Sequence, residues 1–186
     1  IEKSVDVARA CNDLILSKTF DNGMICASEQ AAIVDEEIAP AFEKIMTYYD
    51  CYFLNPEETK KVSDFVINSE KGAANPVVVG KPAWWIAEQA GVKVPEKTKI
   101  LLARLEDVGP DYPLSREKLS PVLAYFVVKN SEEGFAMAKK MLEFGGLGHS
   151  AVIHSNDPAL CKRYGEEMKV GRVITNSPSS QGAIGD

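Results

Sequence analysis

The segment Phe20-Asp21-Asn22-Gly23-Met24-Ile25-Cys26-Ala27-Ser28-Glu29-Gln30 is where chemistry is most legible. Asn-Gly is a strong turn signal, because both residues tolerate positive φ. The apolar run Ala31-Ala32-Ile33-Val34 that follows reads as a short buried strand. A tight turn therefore delivers Cys26 to a rigid strand edge, with its sulfur and its own backbone N–H turned toward an approaching carbonyl. That is the minimum of a nucleophile with the start of an oxyanion hole. The plainer reading of Cys26 is a small buried hydrophobe. Supply of thiolate is the difficulty, since an ordinary cysteine with pKa about 8.5 is only a few per cent ionised at neutral pH. Asp21 and Glu29 lie nearby in sequence and oppose ionisation, with Lys18 alone favouring it. Cys11, Cys51 and Cys161 sit in helix or strand patterns and read as packing. With four dispersed cysteines, no C-x-x-C pair and two histidines, no zinc pattern is legible, and a reducing cytoplasmic setting is the simplest.

The elements that must hold Cys26 follow from periodicity and punctuation. Val5, Ala8, Cys11, Leu14 and Ile15 predict a helix over about residues 3–17. Asp35 reads as the cap of a helix carrying Ile38, Phe42, Ile45 and Met46. Asn55-Pro56-Glu57-Glu58 is a helix start, with Asn as cap and Pro at the first position. Pro82 opens a helix ending at Gly91, Ser131 one ending at Gly145-Gly146, and Asp157-Pro158 another. Residues 51–54, 99–103, 122–128, 151–153 and 172–175 read as strands. Short strands that are apolar throughout, alternating with helices, describe an α/β fold. The expected architecture is three layers, a mostly parallel sheet flanked by helices. The end of the chain, through Gly185-Asp186, reads as a Gly-rich loop.

Composition narrows the function classes. The chain has 186 residues, with Lys plus Arg 21 against Asp plus Glu 27 and a net charge of −6. An acidic chain without a basic stripe is a poor partner for nucleic acid or an anionic membrane surface. No apolar run approaches the ~18 residues of a membrane span.

Phe20…Gly23…Cys26 resembles the catalytic-cysteine motif of the aldehyde dehydrogenase superfamily. The fuller string Thr19–Gln30 resembles, more narrowly, the CoA-acylating aldehyde dehydrogenase half of bifunctional aldehyde–alcohol dehydrogenases. Arg116-Glu117-Lys118-Leu119-Ser120-Pro121 is similar to that group's Glu-x-x-x-Pro segment, and Gly145-Gly146-Leu147-Gly148-His149-Ser150 to its Gly-Gly-x-Gly-His segment. Residues 176–186 resemble the loop preceding its C-terminal part.

The resemblance implies a fold and an activity. Residues 1–186 would be the cysteine-bearing catalytic domain, with the NAD-binding domain before it, a C-terminal extension after it, and little turnover when isolated. The activity would interconvert acetyl-CoA plus NADH with acetaldehyde, NAD and CoA through a Cys26 thioester, as part of fermentative ethanol formation. A stand-alone acylating dehydrogenase for another acyl group, such as that of succinate semialdehyde, and a non-catalytic assembly domain of the same fold are the alternatives. NAD(H) is the implied cofactor and coenzyme A a substrate, with no metal in this domain. Partners would be acyl-CoA and aldehyde, and further copies of the full-length protein in a homo-oligomer or filament.

Glu117 would hold the nicotinamide-side ribose hydroxyls, against the plainer reading of a solvated strand-start Glu. The superfamily usually has an aromatic residue where this chain has Leu119. His149 would relay a proton to the CoA thiol or the aldehyde oxygen, its pKa lying near working pH, against a hydrogen-bonded structural histidine. His154 reads as a surface or satisfied residue, and Trp84-Trp85 as packing rather than an adenine shelf. Gly145-Gly146-Leu147-Gly148 is not a dinucleotide fingerprint, because it follows a helix rather than a strand.

Overall fold

The computed structural model describes residues 1–68 and 70–184. Its centre is a four-stranded, wholly parallel sheet in the order β1 (Ala31–Asp35), β6 (Val122–Val128), β5 (Ile100–Arg104), β2 (Cys51–Leu54). Alternate residues of these strands feed opposite layers, as a two-residue period requires. On one face Ile100, Leu102, Leu123 and Tyr125 pack on α1 (Val7–Thr19) and α2 (Ala39–Tyr48) through Leu14, Phe42 and Met46. On the other, Leu101, Ala103 and Val122 pack on α3 (Pro56–Val66) and α4 (Ala83–Gln89) through Val62, Val66 and Ile86. Ala124 and Phe126, further along β6, meet Met137, Met141 and Phe144 of α5 (Ser131–Gly145). The expected three-layer α/β fold is present.

A hairpin of β3 (Ile67–Asn68) and β4 (Ala73–Ala74) lies outside the main sheet. So does a parallel pair, β7 (Ser150–Ile153) and β8 (Arg172–Thr175), which flanks α6 (Pro158–Glu167) in sequence. Ile1 and Glu2 run between this pair and β1. Ile1 N donates to Ile33 O at 2.7 Å, and Asp35 N donates to Ile1 O at 3.1 Å. Glu2 N donates to His154 O at 2.9 Å.

Local chemistry explains most boundaries. Asn55 and Glu58 form a reciprocal capping box on α3, Asn130 caps α5, and Asp157 accepts from two amides at the start of α6. Three expectations need correction. The first helix starts at Val7 rather than near residue 3, because the Asp6 carboxylate accepts from Ala8 N and Arg9 N and fixes the start there. Asp35 does not cap α2. It ends β1, its carboxylate accepts from Glu37 N, and α2 begins at Ala39 without a side-chain cap. The stretch after β8 is not all loop, since Ser179–Ile184 forms a short helix, α7. Gly185 and Asp186 lie outside the described residues. Among the described residues no helix is long and apolar enough to cross a membrane.

Candidate active site

Phe20–Gly23 form a single 3-10 turn directly after α1. Asp21 and Asn22 take left-handed backbone angles, φ 48° and 49°, and Gly23 continues at φ 70°. Glycine is required at position 23 for two reasons. The φ penalises a side chain, and a Cβ there would stand 2.8 Å from Ser120 O and 3.1 Å from Lys18 O. The turn is thus pressed between the end of α1 and the segment that leads into β6. A second turn, Ser28 N to Ile25 O at 2.9 Å, then lifts Cys26 outward. Its thiol is free and exposed, whereas Cys11 and Cys51 are buried and Cys161 is half-buried. Burial pushes the Cys11 and Cys51 thiols up to about 12.

Of the four segments that resemblance singled out, residues 19–30 are bonded both to residues 116–121 and to residues 176–184. Gln30 Oε1 accepts from Lys118 N at 3.0 Å, and Gln30 Nε2 donates to Ser28 O at 3.1 Å. The Lys118 ammonium is fully buried and donates to the carbonyls of Gln30, Leu114 and Arg116 at 3.1, 2.7 and 2.7 Å. Glu29 Oε1 accepts from Ser179 N at 3.0 Å, and Ser17 Oγ accepts from Ser180 N at 2.9 Å. Asn22 Nδ2 donates to Gly80 O at 3.1 Å. Backbone strain gathers in the same places. Of the five non-glycine residues at positive φ among the described residues, Asp21, Asn22, Leu119 and Asn176 lie in these motif segments, and Asp50 lies elsewhere. Such conformations persist only where surroundings over-determine them, which is characteristic of functional sites.

Cys26, Glu117 and His149 line one cleft of about 440 Å³. All three are exposed. Cys26 comes from the turn before β1 and Glu117 from the extended segment before β6. His149 comes from the residue before β7, so three separate crossovers converge. Glu117 is not at a strand start, since β6 begins at Val122. His149 is seated by its backbone: Gly171 N reaches His149 O at 3.1 Å, and Gly148 N reaches Lys169 O at 3.0 Å. The cleft continues past this mouth between β1 and β7, lined by Ile33, Phe135, Ala138 and His154. Burial, with Arg9 adding to it, lowers His154 to about 4, so it is a neutral packing residue. Trp85 packs against Phe65, with the Lys81 ammonium over its ring, as expected of a packing role.

Sequence reasoning assigned no role to Gln30 or Lys118. Lys118 stood in a charged run, Arg116-Glu117-Lys118, with the look of a solvated strand. Its buried ammonium is held by the nearby carbonyls of Leu114 and Arg116 and by that of Gln30, 88 positions away, and local pattern carries no sign of the last. The exposed carboxylate of Glu117 at the cleft fits the acceptance of two ribose hydroxyls. Among the described residues, no cluster of three metal-binding side chains is found.

No family model matches the chain. It is 49% identical over its whole length to the aldehyde-alcohol dehydrogenase of Streptococcus pneumoniae, of which it spans 22%. It is 40% identical to the bifunctional aldehyde-alcohol dehydrogenase of Escherichia coli, spanning 21%. The structure of an acetylating aldehyde dehydrogenase from Geobacillus thermoglucosidasius superposes with a TM-score of 0.95 at 42% identity, covering 99% of this chain and 40% of that one. The chain thus aligns end to end with about a fifth of the length of these two aldehyde-alcohol dehydrogenases.

Proposed function

We propose that this chain, a homologue along its whole length of the acetylating aldehyde dehydrogenases and of the aldehyde–alcohol dehydrogenases, is the cysteine-bearing catalytic domain of a CoA-acylating acetaldehyde dehydrogenase within a longer, bifunctional polypeptide. The observation that carries the reading is the exposed Cys26 thiol sharing one cleft with Glu117 and His149, while two of the other three cysteines are buried. The Cys26 thiolate attacks the acyl carbon of acetyl-CoA. The carbon–sulfur bond to coenzyme A breaks, and the acetyl group stays on Cys26 as a thioester. His149 hands a proton to the departing CoA thiolate. A nicotinamide cofactor, when bound, supplies the hydride that reduces this thioester. Glu117 would hold the ribose hydroxyls of that cofactor, in the cleft it shares with Cys26. The thiohemiacetal left on Cys26 then collapses: the carbon–sulfur bond opens, the oxygen re-forms its C=O as acetaldehyde, His149 taking any proton that oxygen carries, and Cys26 returns as the thiolate. A thioester suits both halves of the reaction, being readily reduced and readily attacked by a second thiol, which an oxygen ester is not.

Iodoacetamide labelling of the full-length protein tests the reading. Cys26 is expected to react well before the other three cysteines, with acetyl-CoA protecting it. Equal labelling of all four would favour an assembly role for the domain instead. Cys26→Ala is expected to abolish aldehyde formation from acetyl-CoA, and retained turnover would refute the assignment.

A further inference from the structure

The Glu117 side chain is exposed, yet the backbone that carries it is held on both sides. The peptide group it shares with Arg116 presents Arg116 O, which accepts from Lys118 Nζ at 2.7 Å. The peptide group it shares with Lys118 presents Lys118 N, which donates to Gln30 Oε1 at 3.0 Å. Both pins lead to one residue of the Cys26 segment. Lys118 Nζ donates to Gln30 O at 3.1 Å, and Gln30 Nε2 donates to Ser28 O, also at 3.1 Å. Gln30 O accepts from Ala124 N of β6 as well, at 3.1 Å, which anchors the arrangement in the sheet. A bond to Leu114 O at 2.7 Å takes the last of the three ammonium donors. Lys118 is fully buried, so water does not compete for these bonds. The next residue, Leu119, takes a left-handed φ of 48°. A backbone of that kind is kept where its surroundings over-determine it.

We infer that Lys118 and Gln30 are positioning residues, which fix the stem of Glu117 relative to Cys26 through a closed set of hydrogen bonds between the two segments. The inference rests on the reading of Cys26 as nucleophile and of Glu117 as the carboxylate that holds the cofactor's ribose. Connectivity divides the labour. Attack by the Cys26 sulfur needs the turn that presents it, and the Gln30 bond to Ser28 O braces that turn. Seating a dinucleotide beside the sulfur needs Glu117 in register with it. Loss of the Lys118 ammonium frees the peptide between Arg116 and Glu117 but leaves the Gln30 carboxamide and its bond to Ser28 O in place. Cofactor retention therefore suffers and thiol reactivity does not. Loss of the Gln30 carboxamide loosens both segments.

The test is iodoacetamide alkylation of Cys26 in the full-length protein, with and without NADH. The rate without NADH reports the thiol. The NADH concentration that halves the rate reports how well the cleft retains the cofactor. Lys118→Met is expected to keep the rate without NADH within about twofold of wild type and to raise the half-protecting concentration about tenfold. Glu117→Gln is expected to raise that concentration by a similar factor, about tenfold. Adding Lys118→Met to Glu117→Gln is expected to raise it less than about twofold further, because both act through one carboxylate. Multiplicative effects in the double variant would overturn the inference. So would a half-protecting concentration that Lys118→Met leaves unmoved, or a thiol rate that falls as far as cofactor retention does. If Lys118→Met does not fold, Gln30→Ala decides in its place: a several-fold change in thiol rate with about a tenfold rise in the half-protecting concentration supports the inference, and an unmoved concentration overturns it. The premise fails separately, by Glu117→Gln leaving the concentration unmoved or by NADH failing to slow wild-type alkylation, and either result takes the inference with it.

Discussion

Gly23 shows how one atom can govern the nucleophile's position. A methyl group there meets the Ser120 carbonyl oxygen at 2.8 Å, and that oxygen is backbone, which cannot swing aside. The left-handed φ adds about 1–2 kcal/mol for any L side chain. Gly23→Ala is therefore expected to cost at least about 2 kcal/mol, seen as a fall of roughly 4–8 °C in melting temperature for a chain of this size. It should also slow alkylation of Cys26, because the turn must shift away from the β6 approach. A melting temperature within a degree of wild type would show that the turn yields freely. Cys26 was legible from the sequence because turn chemistry is local: Asn-Gly three residues before a cysteine and an apolar run after it constrain the backbone by themselves. The burial of Lys18 was not legible. It sits at the end of an amphipathic helix, where a lysine is ordinarily solvated, and the segments that cover it come from far along the chain.

At the scale of elements, two polar braces make a controlled comparison. Gln30 ties the Cys26 segment to Lys118, and Asn55 caps α3 on the far side of the sheet. Gln30→Ala strips the partner from the Lys118 N–H and is expected to cost about 1–3 kcal/mol. Asn55→Ala removes a capping box worth about 0.5–2 kcal/mol. The losses of stability overlap, so thermal melts alone do not separate the two variants. Their effect on the cleft does. Gln30→Ala is expected to change the rate of Cys26 alkylation several-fold, and Asn55→Ala to leave it at the wild-type value. An equal effect in both would mean that alkylation reports general loosening rather than the brace. The elements themselves were largely readable, since the capping residues at Asn55, Asn130 and Asp157 act within three positions of themselves. Asp35 misled for the same reason. An Asp before an apolar-periodic stretch has the form of a cap, but here the β1 ladder continues through it and its carboxylate serves Glu37 N instead.

At the scale of the whole molecule, three buried bases share one sign. Burial lowers His154 from 6.5 to about 4 and Lys18 from 10.5 to about 7, and it pushes Lys118 well below the ordinary lysine value. Each base binds its proton less readily folded than unfolded. In the windows between the folded and unfolded values the unfolded chain holds more protons, and stability rises with pH. For His154 the contribution is complete above pH 6.5 and is lost as pH falls toward 4; at about 1.4 kcal/mol per unit it amounts to roughly 3 kcal/mol. His154→Gln removes the titrating ring, so urea unfolding of that variant is expected to lose the rise in stability that the unsubstituted protein shows between pH 4 and 6.5. If the rise survives the substitution undiminished, His154 is not the buried base that sets it, and its seat beside β7 is wetter than its burial indicates.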